Sequence, residues 1–212
     1  MDKKIAIVTF YDDACKDYAV LSDKSKQAYC DKYGYKYFLH RERMSPQFDH
    51  PTWEKPKIML SHFNDFDYIM WMDADAIISN MDFDVSELFD KKVIYMSKDV
   101  NGYNAGVFAI KVCDIGKNFL NEVDCLYYAF RRSVFREQSC MSYLMDTKYR
   151  EYVCQVPIKK WNCYDNIYPH FIDNIFEKGD FILHIPAKNL HPKTNPPYRV
   201  KRFTEINEAN GI

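Results

Sequence analysis

The seven cysteines of this chain include no Cys-x-x-Cys pair. An odd and scattered set (Cys15, Cys30, Cys113, Cys125, Cys140, Cys154, Cys163) suits neither a disulfide framework nor a zinc ribbon. It reads as reduced intracellular thiols. Long apolar runs are missing as well. The first, Ile5 to Tyr11, is too short for the apolar segment of a secretion signal or for a membrane span, so a cytosolic protein is expected. Basic excess is absent: 29 Lys and Arg against 30 Asp and Glu leave a net charge of −1, which argues against a general nucleic-acid binder. Glycine is scarce, and none falls in Thr9-Phe10-Tyr11-Asp12-Asp13. That argues against a nucleotidyltransferase, which needs a glycine-rich phosphate loop after its first strand. There is no internal repeat and no low-complexity segment.

What is present is a globular composition, 47% apolar and 28% charged, at a length that fits one large domain. Tyrosine and phenylalanine are abundant, and most are expected as half-buried packing residues. Strand-like runs at Lys4–Tyr11, Tyr35–His40, Tyr68–Met72, Lys92–Ser97, Gly106–Val112, Tyr152–Ile158 and Phe181–Ile185 alternate with helical patterns. The helices are expected at Asp13–Tyr33, closed by Gly34, at Trp53–Phe63 with Pro56 in its first turn, at Ile115–Phe130 and at Arg136–Met145. Val85–Phe89 reads as a short helical turn. Such alternation predicts a mainly parallel α/β sheet with helices on both faces, whose ligands bind beyond the carboxyl ends of the strands. After Pro186 the composition turns to Lys, Pro, Asn and Arg, and residues 191–212 are expected as a basic surface tail. Asn207 to Ile212 carries no clear stop, so this tail reads as a linker to further domains of a longer polypeptide.

The apolar run Tyr68–Met72 ends abruptly at Asp73-Ala74-Asp75. A carboxylate buried there without a partner would cost several kcal/mol, so the run must surface or meet a cation. In an extended segment both acids leave on one side. Two hard oxygen ligands in a small arc suit Mg²⁺ or Mn²⁺. An ordinary polar turn would look the same in isolation.

Other pieces line up along the chain: Ile7-Val8-Thr9-Phe10-Tyr11, Trp53-Glu54-Lys55, Trp71-Met72-Asp73-Ala74-Asp75-Ala76, Asn104-Ala105-Gly106, Glu137-Gln138, Asn162-Cys163-Tyr164, and His184 with Lys188. As a set, over residues 4 to 190, they resemble the GT-A nucleotide-sugar glycosyltransferases. The likeness is strongest to the retaining family of fungal Golgi galactosyl- and mannosyltransferases and plant xyloglucan xylosyltransferases. The compact size, without a membrane anchor, resembles a viral or bacterial relative such as a chlorovirus-encoded glycosyltransferase domain, which would place the protein in host cytoplasm. The family's Asp-Gln pair stands here as Glu137-Gln138, and its His-Phe-x-Gly turn as His184-Ile185-Pro186-Ala187.

The resemblance implies a GT-A (Rossmann-like) domain over residues 1–190 that transfers a sugar from a UDP-sugar to a glycan or glycoprotein acceptor. Asp73, Asp75 and His184 would ligate the cation, and this mixed N/O set suits Mn²⁺ better than Mg²⁺. Thr9, Phe10 and Tyr11 would hold uracil and ribose, with Met72 and Ala74 beside them. Lys55 and Lys188 would add charge at the diphosphate, with Lys57 as the alternative to Lys55. Asn104, Ala105 and Gly106 would give the sugar a close backbone approach. Glu137 and Gln138 would face the reacting carbon, as nucleophile in a double displacement or as stabilising groups in a same-face attack. Each residue also has a plain alternative: a hydrogen-bonded core histidine, solvated lysines, an ordinary turn, the exposed first turn of a helix. The rival functions are a sugar-nucleotide nucleotidyltransferase and a catalytically silent sugar-binding module.

Overall fold

The computed structural model describes residues 3–90, 92–168, 174–186 and 195–212. Strand β1 (Ile5–Phe10) is buried throughout and leads through a 3-10 turn into α1 (Lys16–Tyr33). Gly34 ends α1 in the left-handed conformation expected of it, φ 70°, and its N–H returns to the Cys30 carbonyl. Then follow β2 (Lys36–His40), α2 (Lys55–Leu60), β3 (Tyr68–Met72), β4 (Ala76–Ile78), β5 (Ile94–Asp99) and β6 (Gly102–Lys111). The chain continues through α3 (Asp114–Cys125), α4 (Tyr127–Phe130), α5 (Arg136–Asp146), β7 (Val153–Gln155), β8 (Cys163–Tyr164), β9 (Ile182–His184) and α6 (Pro196–Ala209). No helix among the described residues is long and apolar enough to cross a membrane. All seven cysteines are free.

The main sheet has the order β2-β1-β3-β6-β5-β7. β1 runs parallel to β2 and β3, and β5 parallel to β7, while β6 runs against both of its neighbours. The expected α/β sheet, mainly parallel with helices on both faces, is the architecture found. Alternation along β3 divides the core. Ile69 and Trp71 join α2, α3 and α5 on one side. Met70 and Met72 join Tyr29 and Cys30 of α1, Trp161 and Phe181 on the other.

A second, three-stranded sheet, β4-β9-β8, lies beyond the end of β3. Of its short strands, β9 falls within the run expected at Phe181–Ile185, while β4 and β8 were not legible in sequence. Its register sets Ala76 opposite His184, and His184 beside Tyr164.

Four expectations change. The segment after β3 is a turn rather than extended, closed by Ala76 N–H donating to the Asp73 carbonyl at 3.1 Å. β6 starts at Gly102, so Asn104-Ala105-Gly106 lies inside a strand rather than before one. The single helix expected over 115–130 breaks at Leu126 (φ −84°, ψ 7°), and Tyr127 turns inward to stack on Phe48 with ring centres 4.1 Å apart. Residues 196–209, expected as solvated tail, form α6. Asn195 caps it by accepting from Tyr198 N–H, prolines fill its first positions, and Phe203 is fully buried.

Candidate active site

The acid turn is gripped from three sides. α1 presents a buried polar face, Ser22, Ser25 and Lys26. Ser22 Oγ donates to the Ala76 carbonyl at 2.6 Å, Ser25 Oγ accepts from Ile78 N–H at 3.2 Å, and Lys26 Nζ donates to the Asp73 carbonyl at 2.9 Å. Asp73 N–H reaches the Gly106 carbonyl of β6 at 2.8 Å. Ile185 N–H, one residue past β9, reaches the Asp75 carbonyl at 2.9 Å. Sequence reading missed Lys26, although Ser22, Ser25 and Lys26 share the i, i+3, i+4 spacing of one helix face.

These contacts bring Asp73, Asp75 and His184 together, with ligand atoms all within 4.8 Å of one another. His184 is 2% exposed, and neither of its ring nitrogens makes a hydrogen bond. Yet Nε2 lies 3.2 Å from Asp75 Oδ1. Orphaned polar atoms are rare in a protein interior. A ring nitrogen and a carboxylate oxygen at this distance, outside hydrogen-bond geometry, leave room for a shared cation, so the donor set suits a divalent ion. Asp73 keeps 29% of its side chain open, which leaves a way in.

The acid pair is electrostatically divided. Burial, then the neighbouring Asp75 charge, push the Asp73 carboxyl up despite Lys55. Burial also opposes the Asp75 carboxylate, but His184 and Arg199 outweigh it and hold Asp75 below its ordinary value. A cation held between the two acids would relieve the repulsion that raises Asp73.

Gly106 has a definite reason to be glycine. A Cβ there would lie 2.2 Å from His184 Cε1 and 2.9 Å from each ring nitrogen. The close approach that glycine permits is thus that of the imidazole.

Lys55 is 3% exposed and engages three acceptors, one for each N–H: Asp73 Oδ1 at 3.1 Å, Glu137 Oε1 at 3.0 Å and the Ala105 carbonyl at 2.9 Å. Burial works against its charge, but Asp73 and Glu137 prevail and raise its pKa. Trp71 Nε1 also donates to Asp73 Oδ1, at 2.6 Å. Lys55 therefore positions Asp73, and a phosphate would have to displace one of these partners. Lys57, the alternative, pairs with Asp124 at 3.1 Å instead.

Glu137 is buried against Lys55 rather than solvated, and Arg136 just before it sits at φ 46°. A non-glycine residue there carries strain on the order of 1–3 kcal/mol, a feature that clusters at functional sites. Gln138 Oε1 accepts from Ala105 N–H at 3.1 Å.

Asn104 is fully bonded. Its Oδ1 accepts from Gly106 N–H at 2.8 Å and from Asn162 Nδ2 at 2.9 Å. Its Nδ2 donates to Tyr164 Oη at 2.6 Å and to Asp99 Oδ2 at 3.1 Å.

Thr9 and Met72 are buried at adjoining strand ends, where Thr9 Oγ1 donates to the Met72 carbonyl at 2.7 Å and accepts from Lys26 Nζ at 3.0 Å. Burial pushes the Lys26 ammonium down to about 8 against the pull of Asp23, Asp73 and Asp75. Phe10 packs into the core. Tyr11 donates to Asp23 and lies under the Arg41 guanidinium, 4.4 Å from its ring centre. Ala74 is 8% exposed at the crest of the acid turn. Lys188 lies outside the described residues. Asp99, Arg41 and Arg199 were not picked out as site residues from sequence.

A family model described as the galactosyl transferase GMA12/MNN10 family matches residues 2–93 and 89–189. An alpha-1,2-galactosyltransferase of Schizosaccharomyces pombe (strain 972) is 22% identical over 228 residues, 86% of this chain and 59% of that protein. A second from that yeast, named an uncharacterized alpha-1,2-galactosyltransferase, is 25% identical over 204 residues, 76% of this chain and 54% of its own length. This chain thus spans little more than half the length of these curated relatives. Among solved structures, a glycosyltransferase involved in glycosylation of the major capsid of PBCV-1 superposes with a TM-score of 0.72. It shares 12% identity, with 95% of this chain and 99% of that one covered. The galactosyltransferase LgtC, crystallised with donor and acceptor sugar analogs, gives 0.60 at 14% identity, over 96% and 95% of the two chains. At such identities the likeness establishes the fold, which is GT-A.

Proposed function

Because this chain belongs to the galactosyl transferase GMA12/MNN10 family, we propose that it is a metal-dependent retaining glycosyltransferase. It moves a hexose or pentose from a UDP-sugar to a hydroxyl of a glycan or glycoprotein. One observation carries this reading: the convergence of Asp73, Asp75 and the orphaned His184 imidazole at the carboxyl end of β3. In open α/β sheets such strand ends are where ligands bind.

Asp73, Asp75 and His184 would hold the cation, Mn²⁺ by preference for the mixed oxygen and nitrogen set. When bound, it supplies Lewis-acid neutralisation of the departing diphosphate. Lys55 and Trp71 keep Asp73 aimed by occupying the rest of its carboxylate. Thr9, Phe10, Tyr11, Met72 and Ala74 are the proposed nucleoside side of the site, and Lys188 the proposed diphosphate contact. Asn104, Ala105 and Gly106 border the sugar, their strand pinned by Gln138, Asn162 and Tyr164.

For the route of transfer, the ion pair between Glu137 and Lys55 favours same-face attack over a covalent intermediate. A carboxylate held by a buried ammonium is a weakened nucleophile. The acceptor hydroxyl then delivers its proton to the leaving phosphate oxygen.

A thermal-shift panel of nucleotide sugars with and without Mn²⁺ tests the donor, since a ligand that binds the folded state raises its stability. UDP-galactose goes first, because the curated relatives are named galactosyltransferases. The expected result is stabilisation by a UDP-sugar only with Mn²⁺, and a product whose anomeric configuration is retained by NMR. Stabilisation by no sugar nucleotide, or an inverted product, would contradict the proposal.

A further inference from the structure

α6 lies outside the stretches matched by the family model, which end at residue 189. Its inner face nevertheless reaches the acid turn. Arg199 is 5% exposed, and its Nε and Nη2 donate at 2.9 Å each to the carbonyls of Ile185 and Pro186. Those carbonyls directly follow His184. Nη2 also lies 3.6 Å from Asp75 Oδ2, the carboxylate oxygen other than the one beside His184. The guanidinium packs 4.7 Å over the Tyr18 ring of α1.

The helix is anchored to the rest of the domain on both sides of Arg199. Tyr198 and Arg202 bond Asp165, which follows β8, at 2.8 and 2.9 Å. Phe203 is fully buried, and Asn207 donates to the Leu21 carbonyl of α1 at 2.9 Å.

We infer that Arg199 is a positioning residue of the cation site, supplied by α6: it fixes the backbone that follows His184 and turns Asp75 so that Oδ1 faces the imidazole. This rests on Asp73, Asp75 and His184 being the cation site. The planar fork of arginine matters here, because one side chain must satisfy two carbonyls and a carboxylate at fixed angles. A lysine brings the charge without the fork. Charge alone would act in the opposite sense, since a guanidinium beside Asp75 repels a dication. Tighter binding on its removal would therefore show that Arg199 acts only as a charge.

The test uses Mn²⁺ alone as probe, with affinity measured by calorimetry and by the EPR signal of free Mn²⁺. Hydrogen exchange of the Ile185 amide is followed in the metal-free protein. Arg199→Met is expected to weaken Mn²⁺ binding about tenfold, the lower end for loss of a residue that orients a metal ligand. It is also expected to speed exchange at Ile185. Arg199→Lys should show both effects to a smaller degree and decides the matter if the methionine variant does not fold. Lys201→Met, a change at an exposed side chain of the same helix, should leave Mn²⁺ affinity unchanged.

Unchanged or tightened Mn²⁺ binding in a folded Arg199 variant, with the wild type binding normally, would overturn this inference alone. Absence of Mn²⁺ binding by the wild type would overturn the reading of the site, and this inference with it.

Discussion

Residues 106 and 184 occupy shared space: the His184 ring lies where a side chain at Gly106 would begin, 2.2 Å from an added Cβ. Gly106 belongs to β6 of the main sheet and His184 to β9 of the small one. The two sheets meet face to ring at this point.

Gly106→Ala follows directly. The added methyl meets Cε1, at the outer edge of a rigid and buried ring, so the imidazole has to move. We expect a loss of about 1–3 kcal/mol in unfolding free energy, the usual range for overpacking. Mn²⁺ affinity should fall together with stability. Denaturant unfolding and calorimetry on one preparation read both, and an alanine variant with wild-type Mn²⁺ affinity would refute the account.

Lys55 ties two carboxylates from distant parts of the chain, Asp73 at the end of β3 and Glu137 at the start of α5. Lys55→Met leaves the buried Glu137 charge without its partner and should cost about 3–5 kcal/mol, as breaking a buried ion pair does. Adding Glu137→Gln should restore part of that, because the orphaned charge goes with it. A double-mutant cycle in urea checks the coupling. Strictly additive losses would show that the two residues do not act together.

Much of the fold was legible because its signals are local. The buried runs of β1 and β3, the glycine after α1 and the abrupt acids after β3 each speak within a few residues. The acid pair, His184 and Gly106 were also nameable in advance as members of one set. What sequence could not give was which partner each residue takes. Lys55 looked like a diphosphate ligand because a lone lysine carries no trace of the two acids it meets across 18 and 82 positions. The plain alternative for Glu137, a solvated first turn, stayed open in sequence for the same reason and falls in the structure. The three residues of β4 and the two of β8 are too short to show a period. α6 was misread for a different reason. Its basic residues dominate the composition, while the start signal Asn195-Pro196-Pro197 and the Arg199, Phe203, Ile206 spacing of a buried face were passed over.

At the end of β2, the imidazoles of His40 and His62 meet Nε2 to Nε2 at 2.9 Å, with His62 stacked on Phe38. One must donate and the other accept, so the contact requires that they not both be protonated. Burial lowers both pKa values, and for His62 the proximity of His40 adds to this. Below the ordinary histidine pKa of about 6.5 the unfolded chain then binds more protons than the folded one, so stability is complete above that pH and falls as pH drops below it. Urea midpoints from pH 8 to pH 5 should decline for the wild type and flatten for a His40→Gln, His62→Gln double variant. Identical slopes for the two proteins would refute this.

The central claim is that Asp73, Asp75 and His184 form one cation site that binds a nucleoside diphosphate through the metal. Calorimetric titration of UDP into protein with and without Mn²⁺, for the wild type and for folded Asp75→Asn and His184→Ala variants, tests it most directly. UDP should bind the wild type tightly only when Mn²⁺ is present, and both variants should lose that metal-dependent gain. UDP binding that ignores Mn²⁺, or variants that keep the full gain, would contradict the claim.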